Sequence, residues 1–329
     1  MKKNIEKFSE KDFVNVLRMI KKSQYNALKS INTELITLYW DIGKYIDEKI
    51  EESAWGKSIV TELSNYISKK DPELKGFSDK NIWRMRQFYS TYKNYPKLAP
   101  LVREITWTNN FIIFSRCQSI EEKEFYLHKS KKEKWSKREL DRVISSSLFE
   151  RTMLSDIKLS PSTKEIYPNT KEYFKDDYVF EFLGLNKHYN EDELQKGLIT
   201  HLKNFILEIG KDFTFVGEKY RLQVGNSDFY IDLLFFHRKL QCLVAFELKT
   251  EKFHPEHIGQ LNFYLEALDR DVKNENENPS IGILLCTDKD DTVVEYALSR
   301  TLSPSMVSAY QTELPDKKIL QEKFEELFD

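Results

Sequence analysis

The sequence predicts an α+β protein: an all-α N-terminal domain followed by an α/β C-terminal domain on a mixed sheet. Three observations carry this. Across residues 13–151 apolar residues recur at three- and four-residue steps, the period of an amphipathic helix. Further on come FTFVGEKYRLQV, DFYIDLLFFHR and LQCLVAFELK, apolar runs of strand length bounded by turn residues. Between these regions, residues 155–177 are rich in Ser, Thr, Pro and Asn and show little periodicity, the composition of a connection. The expected organisation is a helical domain at 1–154, a linker at 155–178 and a sheet domain at 179–329, and 329 residues suffice for two domains.

In the helical half, Ile31, Leu35, Leu38, Ile42 and Ile46 predict one apolar stripe. Gly56 and KKDPELKG punctuate the following helix, which holds Ile59, Leu63 and Ile67. Ser78 is placed to cap a helix from Asp79 through Tyr92, and two helices joined by a short Pro/Gly turn suggest a helix-turn-helix. That second helix reads DKNIWRMRQFYSTY, with Ile82, Met85, Phe88 and Tyr89 on the core side and Lys80, Arg84 and Arg86 as candidates for contacting nucleic-acid backbone. Trp107 opens another helix with Thr108 as its expected cap. Ser136–Glu139 forms a capping box within KSKKEKWSKREL, the most basic segment of the chain. There Lys134 is a candidate phosphate contact, and Trp135 is expected to pack beneath its own cap.

In the C-terminal half, Asn190 and Glu193 cap a helix ending near Gly210, and the three apolar runs form an antiparallel meander. A helix from Pro255 to Asp269 leads to SIGILLCT, a buried strand joining in parallel after a long connection. A helix at 291–299 and a last strand at 306–310 follow, so the core order is α-β-β-β-α-β.

Charge is uneven. Residues 1–155 carry 30 Lys and Arg against 21 Asp and Glu, and residues 156–329 carry 21 against 32. A basic half suits a polyanionic partner, and the acidic half argues against indiscriminate coating of nucleic acid. No apolar run reaches membrane-spanning length and MKKNIEKFSEKDF has no apolar signal core, so a cytoplasmic protein with no membrane partner is expected. Cys117, Cys242 and Cys286 are widely separated and form no disulfide scaffold or zinc knuckle.

The chemistry concentrates between residues 228 and 249. Asp232 interrupts one apolar run, and Glu247 and Lys249 close the next. A buried charge needs a partner or a metal. Strand side chains alternate, so Glu247 and Lys249 share a face with Leu248 behind. An even turn would set Asp232 beside Glu247, whereas an odd one would separate them. Two such carboxylates repel unless a cation lies between them, and hard oxygen ligands favour Mg²⁺ or Mn²⁺, with the Leu248 carbonyl completing the protein ligands. Lys249 is placed to orient water and neutralise charge on a phosphodiester transition state. On the next helix Gln260 and Tyr264 share a face four residues apart and could reach the same point. Arg221 and Tyr264 join the candidate nucleic-acid contacts. His254 and His257 lack a nearby third ligand for zinc.

Asp232, Glu247-Leu248-Lys249 and the Gln260–Tyr264 pair resemble the PD-(D/E)XK nuclease superfamily, with Ile231 where its namesake Pro would stand. VGEKYRLQVGNSDFYIDLLFFHR, ELK, GQLNFYLEALD, NPSIGILLC and VVEYAL resemble the YhcG-type nuclease family of bacteria. LITLYWDIG, AWGKSIVTELS, GFSDKNIWRMRQFY, ITWT and KWSKREL resemble that family's N-terminal domain. The resemblance implies a restriction-endonuclease-like C-terminal fold, metal held by Asp232 and Glu247, a catalytic Lys249 and DNA as substrate. It also implies an acid on the first helix of the core. Glu193 is the nearest candidate, although its capping box accounts for it, and Gln195 stands where a Glu would be expected, which leaves one metal or two open.

Two readings follow. One is a Mg²⁺-dependent DNA endonuclease whose N-terminal domain binds nucleic acid or a protein partner. A branched-DNA form of it would need a homodimer, since two opposed cuts need two centres. The other is a catalytically silent DNA-binding or protein-interaction module on a nuclease scaffold.

Overall fold

The computed structural model describes residues 10–52, 57–186 and 188–326, and Gly56 lies outside them. The chain divides into two compact units, 1–141 and 142–329. No helix among the described residues is long and apolar enough to cross a membrane.

The first unit is helical: α1 (Glu10–Glu51), α2 (Lys57–Lys70), α3 (Asp79–Tyr92), α4 (Ala99–Arg103), α5 (Trp107–Arg116), α6 (Ile120–Glu133) and the start of α7 (Lys137–Ser145), within which the division falls. Side-chain oxygens of Ser78, Thr106 and Ser119 accept hydrogen bonds from main-chain N–H groups at the starts of α3, α5 and α6. The α5 cap is thus Thr106 rather than Thr108. The expected α1 stripe holds at its C-terminal end, where Ile46 is buried and Ile42 packs beside it, and is displaced before that. There Ile36 and Tyr39 are buried, while Ile31, Leu35 and Leu38 are 65%, 38% and 45% exposed. Gly43 explains this: a Cβ there would sit 2.1 Å from the Met85 carbonyl oxygen, so the α3 backbone presses against the face that carries the glycine.

The second unit continues with α8 (Leu148–Met153), α9 (Pro161–Ile166) and β1 (Asp177–Val179). Residues 155–178 are therefore packed structure rather than a free linker. Ser160 Oγ accepts from the Thr163 N–H as the α9 cap and donates to the Ser303 carbonyl. Ser and Pro read as punctuation here, yet they satisfy a helix start inside a core. Then come α10 (Glu191–Thr200), α11 (Leu202–Ile209), β2 (Phe213–Val224), β3 (Ser227–His237), β4 (Cys242–Leu248), α12 (His257–Asp271), β5 (Asn278–Cys286), α13 (Asp291–Leu298), β6 (Ser305–Gln311) and α14 (Lys317–Glu326). The single helix expected before the meander breaks at His201 into α10 and α11.

The sheet order is β1-β6-β5-β4-β3-β2, antiparallel from β2 to β4 and parallel from β4 to β1. This matches the expected meander and parallel SIGILLCT strand, with β1 an added edge. Leu194, Leu198, Phe205 and Ile209 of α10 and α11 pack on one face with Leu233, Phe235, Phe246 and Leu248. Ile258, Leu261 and Leu265 of α12 cover the other with Leu234, Ala245 and Leu284. A core polar group anchors the first layer. The fully buried Glu208 carboxylate accepts from Arg142 (3.0 Å), Arg151 (3.2 Å) and the Val179 N–H (3.1 Å), with the Lys175 ammonium at 3.1 Å.

Candidate active site

The β3–β4 turn decides the site. His237 pairs with Cys242 and Leu233 with Phe246, so residues 238–241 form an even, four-residue turn and the register carries Asp232 to a place opposite Glu247. Gln241 takes φ 51°, a left-handed conformation that closes the turn without glycine. Leu248 points the other way, into the core beneath α10 and α11.

Glu247 is held out of water, and Asp232 is half-buried. One Asp232 carboxylate oxygen accepts the Leu248 N–H at 2.8 Å, and its carbonyl accepts the Gln195 amide at 2.6 Å. Burial raises the Asp232 pKa, opposed by that N–H and by the Lys249 and Lys219 charges. Glu247 is 2% exposed. Burial and the neighbouring Asp232 charge push its pKa up to about 7, against the pull of Lys249. Its Oε1 accepts from Lys249 Nζ at 3.1 Å, and its Oε2 finds no hydrogen-bond partner among the described residues.

Lys249 lies between two acids. Besides Glu247 its ammonium meets both carboxylate oxygens of Glu191, each at 3.5 Å. Burial disfavours the ammonium, but Glu247, Glu191 and Asp232 outweigh it and hold the pKa above the ordinary lysine value. The acid that α10 sends to the site is thus Glu191. Glu193 stays in its capping box, where Asn190 and Glu193 bond reciprocally. Sequence reading missed Glu191 because an acid in the first turn already has a local reason, the positive end of the helix dipole.

On α12, Gln260 donates to the Tyr264 hydroxyl at 2.7 Å. Tyr264 packs in the α12 layer, and burial, with Glu247 and Asp232 adding to it, raises its pKa. Among the other candidates, Arg86 bonds the buried Asp47 at 2.9 Å, and Arg84 lies over the Phe111 ring at 4.1 Å. Lys80 and Lys134 are exposed, with Lys134 ending α6 in a left-handed conformation. Arg221, on β2, is exposed and pairs with Asp228 at 2.8 Å. Trp135 is buried, as its packing role predicts.

An orphaned, buried oxygen beside a second carboxylate is the expected mark of a cation site, so these residues fit a divalent metal. Among the described residues no three His, Cys, Asp or Glu side chains converge as a metal cage. A cation would be held by Asp232, Glu247, the Leu248 carbonyl and water.

A carboxylate pair on adjacent strands with a lysine two positions on, set in a helix-flanked mixed sheet, marks the nuclease domains of PD-(D/E)XK type. Residues 171–325 match the profile of the YhcG PDDEXK nuclease domain, and residues 15–151 that of the DUF1016 N-terminal domain. A protein of Escherichia coli (strain K12) named "Putative nuclease YhcG" is 31% identical over 94% of this chain and 91% of its own length. The chain belongs to the YhcG family. Among solved structures, a repair endonuclease from Pyrococcus abyssi and an EndoMS–dsDNA complex each align with 40% of this chain at 17% identity and TM-score 0.27, over 50% and 48% of their own lengths.

Proposed function

We propose that this chain is a cytoplasmic DNA endonuclease that hydrolyses phosphodiester bonds with Mg²⁺ or Mn²⁺ bound by Asp232, Glu247 and the Leu248 carbonyl. The observation that carries the reading is Glu247 Oε2, buried and unpartnered beside a second carboxylate. The bound cation would supply Lewis-acid activation of water and charge neutralisation at the phosphoryl group. Lys249, fixed by Glu247 and Glu191, stays protonated at neutral pH and can stabilise the negative charge that develops in the transition state. Gln260 and Tyr264 present an amide and a hydroxyl that can position water or a phosphate oxygen. DNA is the substrate class that the superfamily resemblance implies, and the basic N-terminal half suits a polyanion. The name of the E. coli relative is consistent with nuclease activity.

The test is a cleavage panel of linear, single-stranded and branched DNA with Mg²⁺, Mn²⁺ or chelator. Cleavage by the wild type in metal, lost in chelator and in Asp232→Ala, Glu247→Ala and Lys249→Ala with circular dichroism unchanged, is the expected outcome. Salt-dependent DNA binding without hydrolysis in any metal would instead identify a silent binding module.

A further inference from the structure

Lys219 lies on β2 between the ladder pairs Glu218–Leu233 and Tyr220–Ile231, which sets it across from Asp232. Three adjacent strands thus bring Lys219, Asp232 and Glu247 into one row. The backbone there is unusual. A register shift between Phe215 and Gly217 precedes Lys219, and Lys219 itself has φ 42°. Bulges re-aim side chains, and left-handed non-glycine residues cluster where a backbone is shaped for a task.

The cation balance of the site gives Lys219 that task. A nucleic-acid backbone approaching Asp232, Glu247 and Glu191 meets three acids, and the half-buried Lys249 is already divided between two of them. Lys219 is different. It pairs with Asp192 at 2.7 Å, and both side chains are more than half exposed. Such a pair contributes little and exchanges readily for a better anion. A DNA phosphate is one, because neutralising it also releases counterions.

We propose that Lys219 is a substrate-binding residue that leaves Asp192 to take a non-bridging oxygen of a phosphodiester beside the one being cut, with Asp192 as the competing anion that holds it when no DNA is bound. This rests on the nuclease reading above. It concerns a residue outside the metal ligands and the lysine of the motif.

The test measures binding of a fluorescein-labelled duplex to the full-length chain by anisotropy, with Ca²⁺ in place of Mg²⁺, across 50 to 200 mM salt. Lys219→Gln should weaken binding about tenfold, the scale of one charge-assisted hydrogen bond, and lower the salt slope by about 0.9. Asp192→Asn should tighten binding, because it removes the competitor. Lys219→Arg should stay near wild type. In Mg²⁺, Lys219→Gln should raise KM more than it lowers kcat. A merely structural ion pair predicts something else, since Lys219→Gln and Asp192→Asn break the same contact and would shift affinity in the same direction. That result, or no change in either variant, overturns the proposal, and wild-type cleavage in Mg²⁺ would leave the nuclease reading standing. Wild-type binding without cleavage sinks the nuclease reading, while opposite shifts in the two variants would still support Lys219 as a phosphate contact. If the wild type neither binds nor cuts, both fall.

Discussion

Glu247→Gln should stabilise the metal-free fold while abolishing cleavage. The Glu247 carboxyl is buried, and burial together with the Asp232 charge raises its pKa from 4.5 to about 7. The sign follows from linkage. Between pH 4.5 and 7 the folded state holds the proton more tightly than the unfolded state, so stability falls as pH rises through that window and is level above it. A rise from 4.5 to about 7 corresponds to about 3 kcal/mol at most. Glutamine has nearly the same shape, carries no charge and still offers Lys249 an oxygen. In chelator at pH 8 the variant should therefore be more stable than wild type by about 1–3 kcal/mol, and the two should converge near pH 4.5. Mg²⁺ at one hundred times its Kd should then stabilise wild type by about 2.7 kcal/mol and leave the variant unmoved. Urea titrations at pH 4.5, 6 and 8 followed by far-UV circular dichroism measure this. All five Trp fall at or before residue 135, outside the unit that holds Glu247, so none is a local probe of this site. Equal pH slopes for the two proteins between 4.5 and 7, or a variant less stable at pH 8 in chelator, would refute the reasoning.

Two further outcomes test the scaffold. Glu208→Ala leaves Arg142, Arg151 and Lys175 without their shared anion and should cost about 3–5 kcal/mol in urea titration. Burial alone would raise the Glu208 pKa, but those three cations bring it down to about 2, so wild type should keep this contribution above pH 4.5 and lose it as pH falls towards 2, a dependence absent in the variant. Gly282→Ala places a Cβ 2.7 Å from Leu261 Cγ and should cost about 1–3 kcal/mol by pushing α12 off β5, read as a lowered Tm.

The parts of this site that follow a two-residue period were legible in the sequence, because alternation leaves no intermediate answer. Glu247 and Lys249 share a face and Leu248 opposes them whatever the rest of the chain does. The meeting of Asp232 with Glu247 needed one more fact, the parity of the turn. Gln241 in a left-handed conformation gives no glycine signal from which to read it. Helix faces are more forgiving of error. The α1 stripe through Ile31, Leu35 and Leu38 was a valid 3.6-residue pattern, yet Gly43 selected the neighbouring face by admitting the α3 backbone.

The start of α10 shows why local rules stop short of the site. Glu191, Asp192 and Glu193 are consecutive acids in a first turn, and the helix dipole and a capping box would explain all three. Successive residues on a helix point about 100° apart, so three neighbours cannot share one partner. Glu193 turns back to its own cap, Asp192 reaches Lys219 on β2, and Glu191 reaches Lys249 beside the carboxylate pair. Only the first of these contacts lies within the segment. The other two exist because the sheet brings β2 and the end of β4 up to the helix start, and they join a structural helix to both lysines flanking the carboxylates. A change in how α10 begins should therefore be felt at Lys249 and Lys219 together, whereas a change at Glu193 alone acts on the helix.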